Sequence, residues 1–121
     1  MLKGVSLFSN IGIGELSLPT RFKVIAANDI DQKRCLLYKR LHPTTKVIQG
    51  DISKQSIFNA IKEFDCDFLI STPPCQGMSN LGKMDKRDPR NHLIKYSIDF
   101  IKAKKPKLSL IHISEPTRPL S

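Results

Sequence analysis

Short apolar runs alternate with longer amphipathic segments along this chain, and that alternation predicts strands separated by helices. Val5-Ser6-Leu7-Phe8, Lys23-Val24-Ile25-Ala26-Ala27, Lys46-Val47-Ile48-Gln49 and Phe68-Leu69-Ile70 each have the length and β-branched or aromatic content of a strand. Between them, Cys35, Tyr38 and Leu41 recur at helical spacing after Asp31, and Ile57, Phe58, Ile61 and Phe64 make one apolar helical face. A later helix carries Ile94, Ile98 and Ile101 on one face, ends in lysines that favour its negative end, and is stopped by Pro106. The expected fold is α/β, a mostly parallel sheet with helices on both faces, because right-handed crossovers permit little else.

In such sheets ligands bind outside the carboxyl ends of the strands, so the residues that follow each strand carry the chemistry. After the first come Ser9-Asn10-Ile11-Gly12-Ile13-Gly14-Glu15, a glycine turn into a helical segment that offers free N–H groups. Its spacing is not GxGxxG, and a lone G-x-G also serves as a plain tight connection. After the second comes Asn28-Asp29-Ile30-Asp31, where Asp29 suits ribose hydroxyls and Asp31 suits a helix cap. Asp51 follows the third strand, and it or Ser53 can cap the next helix. The fourth runs into Ser71-Thr72-Pro73-Pro74-Cys75-Gln76-Gly77, where two prolines end the ladder and stiffen the backbone and Gly77 frees it again. Cys75 is either a packing thiol or a nucleophile; its rigid, polar, glycine-ended setting fits covalent catalysis, whereas Cys35 and Cys66 read as packing residues. Asn10 to Gly14, Asp29, Asp51 and Cys75 are expected to converge on one crevice.

Composition narrows the class. A chain of 121 residues, 40% hydrophobic and 26% charged, suits one globular domain or part of one. Three cysteines without a CxxC pair and three unclustered histidines argue against a disulfide framework and a metal site. No apolar run reaches membrane-span length and no signal segment opens the chain, so a cytoplasmic location without a membrane partner is expected. A formal charge of +9 favours a polyanionic partner, and residues 78–92 form a polar, basic stretch without periodicity. Lys83, Lys86, Arg87 and Arg90 there are either phosphate contacts or solvated charges.

Taken in order, Leu7-Phe8-Ser9-Asn10-Ile11-Gly12, Ala27-Asn28-Asp29-Ile30-Asp31, Gly50-Asp51-Ile52, Pro73-Pro74-Cys75-Gln76-Gly77 and Asp88-Pro89-Arg90-Asn91-His92-Leu93 resemble the amino-terminal half of the DNA (cytosine-5)-methyltransferases. The resemblance covers roughly residues 4 to 107 and implies a truncated Rossmann-like fold that uses S-adenosylmethionine and no metal. By that likeness Phe8 and Ile30 flank the adenine, Asp29 takes the ribose hydroxyls, Asp51 takes the adenine amino group with Ile52 beside it, and Asn10, Gly12 and Pro74 complete the cofactor site. Cys75 becomes the nucleophile toward C6 of a cytosine flipped from double-stranded DNA. Gln76, Ser79, Lys83, Arg87 and Arg90 face the DNA, within a stretch that resembles the family's mobile catalytic loop. A restriction-modification role and a monomeric full-length enzyme are implied as well.

Two departures qualify the likeness. Asn10 stands where the family's F-x-G turn has glycine; asparagine tolerates a left-handed backbone, so the turn is expected to survive. From Leu108 to Ser121 the chain resembles translated sequencing-adapter read-through rather than the family's Glu-Asn-Val strand. The expected organisation is therefore 1–107 as the amino-terminal part of a catalytic domain and 108–121 as a non-native tail, inactive by itself. The apolar start of that tail, Leu108 to Ile113, can still fill a fifth strand's place by pattern. An amino-methyltransferase is disfavoured by cysteine after the proline pair, and the alternative from another class is a non-catalytic basic nucleic-acid or nucleotide-binding module.

Overall fold

The computed structural model describes residues 1–74 and 92–112. Among these, β1 (Leu2–Leu7), β2 (Phe22–Asp29), β3 (Lys46–Gln49), β4 (Phe68–Ser71) and β5 (Leu108–Ile111) form one sheet in the order β3-β2-β1-β4-β5. Every pairing is parallel, from Ala26 opposite Lys46 at one side to Phe68 opposite Leu108 at the other. The crossovers carry α1 (Gln32–Leu41), α2 (Gln55–Lys62) and α3 (His92–Lys104), and a single 3₁₀ turn spans Gly14–Ser17.

Adjacent residues of β2 serve opposite faces, which is how one strand anchors two layers. Ala26 joins Val5, Leu7, Ile52, Ile61, Leu69 and Phe100 in the core under α2 and α3, while Ala27 packs with Cys35, Tyr38 and Val47 under α1. Ile57, Phe58 and Ile61 of α2, and Phe64 just beyond its end, pack on the core as the periodicity predicts. Cys35 is buried and Cys66 half-buried against the core, as packing residues.

The periodicity misplaces several details. β1 starts at Leu2 and stops at Leu7, one residue earlier than expected, because Phe8 has left-handed backbone that no ladder accepts. Leu41 is exposed, since α1 turns only Cys35 and Tyr38 inward. Neither Asp51 nor Ser53 caps α2: its N-cap is Lys54, without a side-chain bond, and Asp51 closes the turn ahead of it. Ile98 of α3 is 42% exposed, and the buried face is centred on Ser97 and Phe100. A small hydroxyl at 97 lets the helix approach β4 closely enough for Ser97 Oγ and Ser71 Oγ to share a 2.5 Å hydrogen bond. α3 ends at Lys104, with Lys105 in left-handed conformation (φ 48°) and Pro106 beyond it, a termination typical of helices. The apolar alternation at Leu108 and Leu110 does fill the fifth strand's place.

Candidate cofactor site at the carboxyl edge of the sheet

Beyond Leu7 the backbone passes through three residues of positive φ: Phe8 (52°), Asn10 (54°) and Gly12 (74°). Glycine adopts this at no steric cost and asparagine at a small one, but phenylalanine requires external support. Thr72 supplies it by donating its hydroxyl to the Phe8 carbonyl at 2.7 Å, and the Phe8 ring packs half-buried on the core. Asn10 retains the turn as its residue type predicts, with Oδ1 accepting the Ile11 N–H at 2.9 Å. At Gly12 no other residue fits, because a Cβ would lie 2.4 Å from the Tyr38 ring and 2.7 Å from His42 Nε2.

Asp29, 7% exposed at the tip of β2, ties this turn to the next. One carboxylate oxygen accepts the Asn10 N–H and the other the Asp31 N–H, each at 2.9 Å. A carboxylate offers about four acceptor positions, so both oxygens retain capacity for hydroxyl donors. Asp31 caps α1 by accepting the Arg34 N–H at 3.1 Å, and Ile30 between the two aspartates is exposed.

A buried asparagine, Asn28, joins the third segment by donating to the carbonyls of Ile48 (2.8 Å) and Gly50 (3.0 Å). Gly50 N–H donates to the Asp29 carbonyl at 3.0 Å, and Gln49 Nε2 to the Ile30 carbonyl at 2.9 Å. Asp51, half-buried, accepts from both the N–H (2.9 Å) and the hydroxyl (2.7 Å) of Ser53. Ile52 is buried within the core cluster beside it. At the fourth segment Thr72 N–H donates to the Leu7 carbonyl at 3.3 Å, and His112 N–H to the Ser71 carbonyl at 2.8 Å. Pro73 is buried and Pro74 half-buried.

The structure thus gathers Phe8, Asn10, Gly12 and Asp29 into one hydrogen-bonded unit, attaches Asp51 and Ile52 through Asn28, and attaches Pro74 through Thr72. Cys75, Gln76, Ser79, Lys83, Arg87 and Arg90 lie outside the described residues. Sequence reasoning missed Asn28 and Thr72 as ties; the available signal was a polar residue near or just past the end of each strand. Burial raises the thiol pKa of Cys35, helped by the Asp29 charge, and burial likewise raises that of Cys66, so neither is activated as a nucleophile. Among the described residues no cluster of three or more His, Cys, Asp or Glu side chains is placed to hold a metal ion. No described helix is long and apolar enough to cross a membrane.

An all-parallel sheet whose carboxyl edge assembles a left-handed glycine turn, a strand-tip carboxylate and a proline pair defines an α/β protein with a Rossmann-like fold. Within that class the chain belongs to the C-5 cytosine-specific DNA methylases, the family whose model matches residues 2–111. It is 43% identical over 120 residues to the Type II methyltransferase M1.HgaI of Avibacterium volantium, covering 91% of this chain and 34% of that protein. It is 36% identical over 115 residues to the Type II methyltransferase M.NgoPII of Neisseria gonorrhoeae, covering 90% of this chain and 32% of that one. The crystal structure of a DNA modification methyltransferase encoded within an E. coli prophage superposes with a TM-score of 0.72 at 27% identity, covering 95% of this chain and 32% of that one. The chain spans about a third of the length of these relatives.

Proposed function

We propose that the complete protein is a DNA (cytosine-5)-methyltransferase that carries methyl from S-adenosylmethionine to C5 of a cytosine in double-stranded DNA, and that residues 1–107 supply its cofactor side and its nucleophile. The observation that carries this reading is the family match over residues 2–111 in a chain whose strand-end segments are laterally tied.

The residues fit the cofactor. Asp29 keeps acceptor capacity on both oxygens for the ribose hydroxyls, and exposed Ile30 and the half-buried Phe8 ring suit the two faces of an adenine. Asp51 is assigned to the adenine amino group with Ile52 supporting it from the core, and Asn10, Gly12 and Pro74 to the remaining contacts. When bound, S-adenosylmethionine supplies an electrophilic methyl group. Cys75 is assigned to C6 of the cytosine, since C5 is a poor nucleophile until a thiolate adds beside it. A free thiol has a pKa of about 8.5, so the assembled site must favour the thiolate. The base must also leave the stack, at a few kcal/mol, and Gln76, Ser79, Lys83, Arg87 and Arg90 are assigned to contacts that offset this. A monomeric, cytoplasmic enzyme of a restriction-modification system completes the reading, with residues 108–121 taken as adapter-derived.

The test joins residues 1–107 to the native continuation recovered from the same source DNA and follows labelled methyl into duplex DNA, with Cys75→Ala in parallel. Label at cytosine C5 that vanishes in the variant supports the reading. A folded product that binds the cofactor yet transfers nothing would turn it to the non-catalytic binding module.

A further inference from the structure

The glycine turn rests on a polar cluster that no assignment above uses. Its centre is Glu15, whose Oε1 accepts the Ser6 hydroxyl at 2.5 Å and whose Oε2 accepts the Tyr38 hydroxyl. Tyr38 is fully buried, its ring lies where a Gly12 Cβ would be, and it stacks on His42 at 4.4 Å between centroids. His42 Nε2 approaches the Gly12 carbonyl at 2.8 Å; a carbonyl only accepts, so this nitrogen carries the proton. Glu15 N–H donates to the same carbonyl at 3.3 Å. Tyr38 lies in the last turn of α1 and His42 is its C-cap, four positions on, with the two rings in contact. They hold the turn at Gly12, whereas the Asp29 bond holds it at Asn10.

We propose that Tyr38 and His42, with Glu15 between Tyr38 and Ser6, are positioning residues for S-adenosylmethionine: they hold the Ser9–Gly14 turn in its left-handed course and so set the cofactor's seat without touching it. This rests on the reading of that turn as a cofactor site. Three hydrogen bonds, from the Gly12 N–H to the Ser9 carbonyl and from His42 and Glu15 to the Gly12 carbonyl, together with the Tyr38 ring, hold the turn at Gly12. Ordering of this kind before binding lowers the entropic cost of seating a ligand. The burial of Tyr38 and the adjacent Glu15 charge both keep the phenol protonated, so the donor to Glu15 persists through neutral pH.

The experiment uses the whole 121-residue chain and three variants, Tyr38→Phe, His42→Ala and His42→Gln, the last retaining an N–H donor. Amide hydrogen exchange is read across the chain, and S-adenosylmethionine affinity is read by calorimetry. Exchange at residues 9–14 is expected to accelerate about tenfold in Tyr38→Phe and His42→Ala while β1, β2 and β4 keep their protection, with partial recovery in His42→Gln. Affinity is expected to fall about five- to tenfold in the same two variants. Unchanged exchange at 9–14, or acceleration spread evenly over the sheet, would overturn the proposal and leave these side chains as ordinary core. A wild-type chain that binds no cofactor, with the local exchange effect present, would instead retain the clamp and remove the cofactor reading of the turn. If Tyr38→Phe fails to fold, the His42 pair decides alone.

Discussion

Gly12 shows how much of this site depends on one missing carbon. Its φ of 74° and the 2.4 Å approach of the Tyr38 ring act together, so Gly12→Ala is expected to destabilise the chain by about 2 kcal/mol, read as a lower urea midpoint. The need for glycine was legible in the strand-to-helix turn, but its cause was not, because Tyr38 lies on α1, beyond the next strand. Tyr38 itself gives a pH prediction. Burial first, and the Glu15 charge second, raise its pKa above that of a free phenol. The folded value lies above the unfolded one, so the stabilisation is complete below about pH 10 and is lost as pH rises beyond it. The stability difference between wild type and Tyr38→Phe should therefore be constant from pH 7 to about 9 and shrink at about pH 11, as followed by urea unfolding at each pH. A difference that grows with alkali would contradict the Glu15 contact.

The helices divide into α2, whose pattern was sufficient, and α1 and α3, whose patterns misled at Leu41 and at Ile98. α2 buries the face its sequence predicts because Ile57, Phe58, Ile61 and Phe64 all meet one core. α3 does not: isoleucine spacing suggested one face, yet the fully buried positions are a serine and Phe100. Ser97 buries because its hydroxyl finds that of Ser71, 26 residues away, and no helical periodicity encodes a partner on a strand. Ser97→Ala strands a buried hydroxyl and is expected to cost about 1–3 kcal/mol, whereas the additional Ser71→Ala should recover part of that loss. Equal and additive losses in the two single variants and their combination would show that the hydroxyls act independently. Truncating Phe100 to alanine leaves a cavity and is expected to cost about 3–5 kcal/mol, measured on the same urea scale.

At the scale of the whole chain, the strand–helix alternation made the parallel sheet legible, and the ligand-facing edge followed from topology before any residue was placed. What alternation does not encode is lateral order: the ties through Asn28, Asp29 and Thr72 exist only because β3, β2, β1 and β4 lie side by side. The net charge of +9 gives a prediction at this scale as well. Binding of duplex DNA by the 121-residue chain should be sequence-independent and should weaken at least about tenfold between roughly 50 and 200 mM salt, as read by fluorescence anisotropy. Salt-insensitive binding would speak against contact through the phosphates. The placement of β1 also carries a consequence for synthesis on the ribosome. β1 is made before the other four strands of this sheet yet is an interior one, and the partner for its second edge, β4, lies 64 residues downstream. At about 5–20 residues per second, that edge waits roughly 3–13 s for its neighbour, open to pairing with other chains unless a nascent-chain chaperone covers it.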